Sequence, residues 1–208
     1  MVKDEVLESF LSDLSSKNPV PGGGGASGIA GAFGASLSLM VISLTVGKKK
    51  YKAYEEELLG VKEKLEKLKA EFLKLADRDE EVFLPLSKAY SLPKETEEEL
   101  RIRNEVMGEA LKAATEVPLE TMENALKALK LTETVAMKGS KLAVSDAGVA
   151  AAFLRTALTG ASLNVVINLK SMEEGAEKEA YRERYTALLK AGTDLASGIE
   201  EIVLGRLR

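Results

Sequence analysis

The sequence predicts an all-α protein, a bundle of long helices in a single domain, and three observations carry that expectation. Apolar residues recur at alternating three- and four-residue spacing through most of the chain, which is the helical rhythm. No convincing strand pattern is present. Proline and glycine punctuation falls at a few separated points, so the segments between are long. With 208 residues the chain can bury one sizeable core, and no linker divides it, so residues 1–208 read as one domain.

Val2, Val6, Leu7, Phe10, Leu11 and Leu14 mark a first amphipathic helix that ends before Asn18-Pro19. Next comes PVPGGGGASGIAGAFGASLSLMVISLTVGKKKY, Pro19 to Tyr51. Its glycines, Gly22 to Gly25, are turn chemistry with accessible backbone N–H groups, and an uncharged helix follows from about Ala26 to Val46. Length alone would suit a membrane span, with Lys48 to Lys50 at its end. However, Gly28, Gly31, Gly34 and Ala35, together with Ser27, Ser36, Ser38 and Ser43, make a helix that other backbones can approach closely. The rest of the chain reads as amphipathic and offers no partner span. We therefore expect a buried core helix and no membrane insertion.

A long helix from Lys48 to Tyr90 is predicted by the seam Tyr51, Tyr54, Leu58, Val61, Leu65, Leu68, Phe72, Leu75, Val82 and Leu86, with a kink at Pro85. Leu92-Pro93 breaks the chain. A helix restarts from Glu97 to Leu131, kinked or broken at Pro118. Lys138-Gly139-Ser140 reads as a loop, Ser145 as the N-cap of a helix through Leu169, and Glu177 to Leu207 as the last helix.

Composition narrows the chemistry. Net charge is −4 with a pI near 5.3, which argues against a general nucleic-acid binder. VKDEVLESFLSDL is amphipathic rather than a signal-peptide core, so a cytoplasmic protein is expected. Histidine and cysteine are both absent, which excludes Ser-His triads, Cys-His nucleophiles and zinc–thiolate sites. No metal site is predicted, because no Ca²⁺-loop spacing is visible. Proton transfer must come from Asp, Glu, Lys, Tyr or the bound ligand.

Two places carry unexpected polar groups. The seam requires an apolar residue between Leu75 and Val82 and has Asp79, a carboxylate on a core-facing stripe. It either caps or pairs with a neighbouring helix, or faces a cleft with a raised pKa. Asp77 lies on another face of the same helix. In the helix from Ser145, residues Asp146, Phe153, Ala157, Gly160, Asn164 and Asn168 share one face. The asparagines need hydrogen-bond partners, from a ligand or from a neighbouring backbone. Asp146 and Asn164 would stand about 27 Å apart on a straight helix, too far for one small reacting centre without a second subunit.

PVPGGGGASGIAGAFGASLSLMV, LTVGKKKY, DRDEEVF, AYSLPKETEEE with Arg103, VPL (Val117 to Leu119), SDAGVAA and NVVINL occur in that order. In these segments, which cover essentially the whole chain, the sequence resembles the cyclodeaminase domain family. That family comprises formiminotransferase-cyclodeaminase C-terminal domains and stand-alone bacterial methenyltetrahydrofolate cyclohydrolases. The resemblance implies an all-helical homodimer acting on a tetrahydrofolate derivative, polyglutamylated or not, with no cofactor beyond that substrate. Conversion of 5-formimidoyltetrahydrofolate to 5,10-methenyltetrahydrofolate plus ammonia is the expected activity. The alternatives are methenyltetrahydrofolate cyclohydrolase and a non-catalytic helical folate-binding or interaction protein. Asp79 and Asp146 are the candidate catalytic carboxylates. Pro21, Gly22, Gly23, Gly24, Lys49, Asn164 and Asn168 are the candidate substrate-binding residues, with Lys49 placed at a glutamate tail.

Overall fold

A computed structural model describes residues 7–208, so Val2 and Val6 of the first predicted helix lie outside the described residues. Six α-helices account for most of the described chain: α1 (Leu7–Leu14), α2 (Gly23–Ser43), α3 (Glu55–Tyr90), α4 (Glu97–Lys138), α5 (Val144–Ser171) and α6 (Ala176–Leu207). Short 3₁₀ turns, Lys49–Tyr54 and Lys141–Ala143, lead into α3 and α5. The all-α expectation holds.

Helix α2 is the axle of the bundle, packed mainly on α5 and α3, with α4 touching both of those. Its glycines make the approach possible. A Cβ at Gly28 would lie 2.9 Å from the Phe72 carbonyl of α3, and one at Gly34 2.9 Å from the Ala150 carbonyl of α5. Any side chain there would push a neighbouring backbone away, so the crossings depend on these residues. Around this axis Ile42, Leu58, Leu65, Phe72, Met122 and Leu154 are fully buried. The seam of α3 is where the spacing put it: Leu58, Val61, Leu65, Phe72, Leu75 and Leu86 are all buried.

Several boundaries differ from expectation, each for a physical reason. The glycines of positions 23 to 25 are not a loop but the first turn of α2, capped by extended Gly22. Tyr51 and Tyr54 belong to the 3₁₀ turn rather than to α3. Helix α4 runs unbroken through Pro118 to Lys138; it starts at a capping box in which Thr96 accepts from the Glu99 N–H and the Glu99 side chain accepts from the Thr96 N–H. Ser145 is inside the first turn of α5 and caps nothing; the helix is entered from the 3₁₀ turn at Ala143.

A second long apolar helix also corrects the reading that α2 has no possible partner span. Both Gly23–Ser43 and Lys141–Ser171 are long and apolar enough to cross a membrane. They are the two central helices of the bundle and pack on each other more than on anything else.

Candidate active site

The N-terminus of α2 meets the middle of α3 and the C-terminal half of α5. At that junction lies a cavity of about 240 Å³, lined by Gly22, Gly23, Gly24, Asp79, Asn164 and Asn168 with an apolar border of Val82, Phe83, Ala114 and Ile167. Asp79 is the one ionisable residue among those that line it.

The sequence builds the acid's position with little freedom. Asp79 continues the buried stripe of α3, so it is carried inward with Leu75 and Leu86. There it meets the first turn of α2, whose N–H groups lack intrahelical partners. The Gly25 N–H donates to Asp79 Oδ2 at 3.1 Å. A Cβ at Gly24 would fall on the Asp79 carboxylate, so any other residue there displaces the acid. Burial raises the Asp79 pKa from 3.8 to about 6, and the Gly25 N–H pulls it partway back. The carboxyl group is therefore poised near neutrality, able to take a proton and return it.

The two asparagines are oriented by backbone. Asn168 donates through Nδ2 to the Ala114 carbonyl of α4 at 2.8 Å, which fixes the orientation of its amide. Asn164 donates through Nδ2 to the Gly160 carbonyl at 3.1 Å, and its amide faces Gly23. Next to Asp79, Arg78 forms a bidentate pair with Glu120 at 2.6 and 3.1 Å, tying α3 to α4 beside the cavity.

Of the residues singled out from the sequence, Gly22, Gly23, Gly24, Asp79, Asn164 and Asn168 are brought together. Pro21 sits against Gly25, just outside the lining. Asp146 is near the opposite end of α5, 18 positions before Asn164 and about 27 Å away along the helix. Lys49 is exposed beyond the C-terminal end of α2, whose 21 residues separate it from the glycine turn by roughly 30 Å. The shared face proposed for α5 is divided: Ala157 and Asn168 are buried, while Phe153 is exposed and meets Phe33 with ring centroids 5.6 Å apart. Sequence reasoning missed the contribution of α4. Ala114 contributes a backbone carbonyl, and the signal for it was Pro118, whose missing N–H leaves the carbonyl four residues back open to Asn168. Among the described residues no cluster of three or more His, Cys, Asp or Glu could hold a metal ion.

These features define a class: an all-α protein whose single cavity carboxylate is set at a glycine helix start and flanked by two oriented amides. The chain belongs to the formiminotransferase-cyclodeaminase family, whose profile matches residues 6–187. It is 41% identical over 207 residues to the methenyltetrahydrofolate cyclohydrolase of Methylorubrum extorquens, covering 100% of both chains. It is 31% identical to the formimidoyltransferase-cyclodeaminase of Rattus norvegicus, covering 98% of this chain and 37% of that protein. The crystal structure of formiminotetrahydrofolate cyclodeaminase from Thermotoga maritima matches all of this chain and 98% of its own, with a TM-score of 0.83 and 28% identity.

Proposed function

We propose that the chain converts 5-formimidoyltetrahydrofolate to 5,10-methenyltetrahydrofolate and ammonia in the cytoplasm, with Asp79 as the proton-transfer group and no cofactor beyond the substrate. The carrying observation is the cavity carboxylate with a pKa near 6 on a glycine N–H. The formimidoyl group enters as its amidinium cation; N10 attacks its carbon to leave an exocyclic NH2, and Asp79 takes the N10 proton as the C–N10 bond forms. The same proton then passes from the Asp79 acid to the exocyclic nitrogen. The C–N bond breaks, ammonia leaves, and the methenyl bridge closes. Asn164, Asn168 and the N–H groups of Gly23 and Gly24 are suited to the polar edge of a pterin.

A second reading is favoured by the full-length 41% match to a cyclohydrolase. Here water attacks the methenyl carbon, Asp79 takes a proton from it and delivers one to N5 as C–N5 breaks, and 10-formyltetrahydrofolate forms with net release of a proton. Both routes pass through a tetrahedral carbon at the same place. Purified protein tested against both substrates separates them. Appearance of the methenyl chromophore from the formimidoyl substrate establishes the first, and enzyme-dependent loss of that chromophore the second. A protein inactive on both would overturn the enzymatic reading.

The active unit is a homodimer in this proposal. Phe33 and Met40 on α2, Leu44 at its C-cap, and Val149, Phe153, Leu163 and Ile167 on α5 are exposed large apolar residues. The Phe33–Phe153 contact joins them into one face. An apolar surface of that kind supports burial against a second copy.

A further inference from the structure

A second cavity lies further along the same helices. It has a volume of about 650 Å³, and its lining includes Tyr90, Arg103, Met107, Lys112, Ser171 and Lys178. The two cavities share three helices. On α3 the lining passes from Asp79 and Phe83 to Tyr90, on α4 from Ala114 through Leu111 and Met107 to Arg103, and on α5 from Asn168 to Ser171. The steps are of three, four or seven residues, so each helix presents one continuous strip. The core cluster of Leu86, Ala89, Met107, Ala110, Leu111 and Ala114 packs α3 against α4 along this strip, with Met172 just past the end of α5 against it.

Arg103 is the unsatisfied group in this second cavity. Its Nε is buried without a hydrogen-bond partner, and it has no ion-pair partner among the described residues. The other cations of the lining are already paired. Lys112 Nζ lies 2.9 Å from Glu177; Lys178 Nζ lies 2.6 Å from Glu174 and donates to the Met172 carbonyl at 3.0 Å. Of the remaining acids of the lining, Glu105 is within 3.6 Å of Arg101 and Glu173 is exposed. What remains open is one guanidinium, and the acceptor that matches its planar fork is a carboxylate.

The dimensions point to a ligand that bridges both cavities. The first, about 240 Å³, falls below the roughly 300–1,000 Å³ of sites that enclose a whole small ligand, so it takes one end of an elongated molecule. From position 79 to position 90 on α3 is about 16 Å. An extended aminobenzoyl-glutamyl arm spans on the order of 10 Å from N10 to its carboxylates, and the reach of the two side chains covers the remainder.

We propose that Arg103 binds a glutamyl carboxylate of the tetrahydrofolate substrate, with the reacting end held at Asp79; the proposal rests on the folate reading above. The second cavity, not Lys49, receives the acidic end of the molecule. Because its remaining ion pairs are closed on themselves, the cavity recognises the first glutamate.

The test compares KM for whichever tetrahydrofolate substrate is turned over with KM for its tetrahydropteroate analogue, which lacks the glutamate. The wild-type protein is expected to favour the glutamyl substrate by about 10- to 100-fold in KM, with little change in kcat. Arg103→Ala is expected to remove that ratio, and Arg103→Lys to recover part of it, with circular dichroism confirming the helical fold of both. Equal KM values in the wild type, or an Arg103→Ala variant that weakens both substrates alike, would overturn the proposal while leaving the folate reading intact. A wild-type protein that turns over neither substrate would overturn the folate reading and this proposal with it.

Discussion

Burial among glycine backbone and apolar side chains makes a carboxylate hold its proton longer, and Asp79 is in that position. Its pKa of about 6 lies above the 3.8 of a free aspartate, so the folded protein binds this proton more tightly than the unfolded chain. The sign follows directly. The contribution of Asp79 to stability is fullest below the unfolded pKa and is lost as pH rises through about 6. Asp79→Asn should therefore gain about 1–3 kcal/mol of stability at pH 7 to 8, a gain that disappears below about pH 4 in thermal melts. The same variant should lose roughly 10²- to 10⁴-fold in turnover, and a near-normal rate would remove Asp79 from the mechanism. In the wild type, kcat/KM should rise with pH through an inflection near 6, as Asp79 becomes the base. Gly24→Ala tests the same geometry from the other side. The added methyl lands on the carboxylate end of Asp79, so the acid should be displaced while the helices stay in place. We expect about a 10- to 100-fold loss of kcat with an almost unchanged melting temperature.

Between elements, the glycine series of α2 has a different role from Gly24. At Gly28 a Cβ meets the Phe72 carbonyl and Ala76 of α3, atoms that cannot rotate away. Gly28→Ala should cost about 1–3 kcal/mol, read in denaturant unfolding, and a neutral effect would show that the α2–α3 crossing is looser than the packing implies. These crossings also explain what the sequence revealed. The α3 seam was legible because its apolar spacing is regular, and Asp79 stood out as the one carboxylate on it. The asparagines of α5 stood out for the same reason. By contrast, the start of α2 was hidden, because glycine reads locally as turn and only tertiary packing makes positions 23 to 25 helical. The wall from α4 was marked only indirectly, by Pro118, which donates no N–H to the Ala114 carbonyl and so leaves it for Asn168. Pro118 was misleading as a break because the helix on either side is long enough, and buried enough, to carry it.

At the level of the whole molecule, two helices with membrane-like composition lie side by side and keep one face uncovered. Leu163 is 69% exposed and Ile167 57%, and Ile167 also borders the Asp79 cavity. Whatever covers this face therefore reaches the mouth of the site. Within one chain Asp146 is about 27 Å from Asn164 along α5 and takes no part in the cavity. A two-fold axis near the middle of α5 would change that, because antiparallel copies set the Asp146 end of one beside the Asn164 end of the other. Light scattering should then give a dimer at assay concentration, and Leu163→Lys should shift it towards monomer with loss of activity. Complementation tests whether the site is shared. An inactive Asp146→Ala chain mixed with an inactive Asn164→Ala chain can form heterodimers in which one of the two sites holds both native residues. Recovery of up to about a quarter of wild-type activity, as expected for random subunit exchange between two-fold copies, would support the shared site. A fully active monomer, or heterodimers that form without recovering activity, would overturn the shared site, and an Asp146→Ala chain that is itself fully active would leave Asp146 with no part in the chemistry.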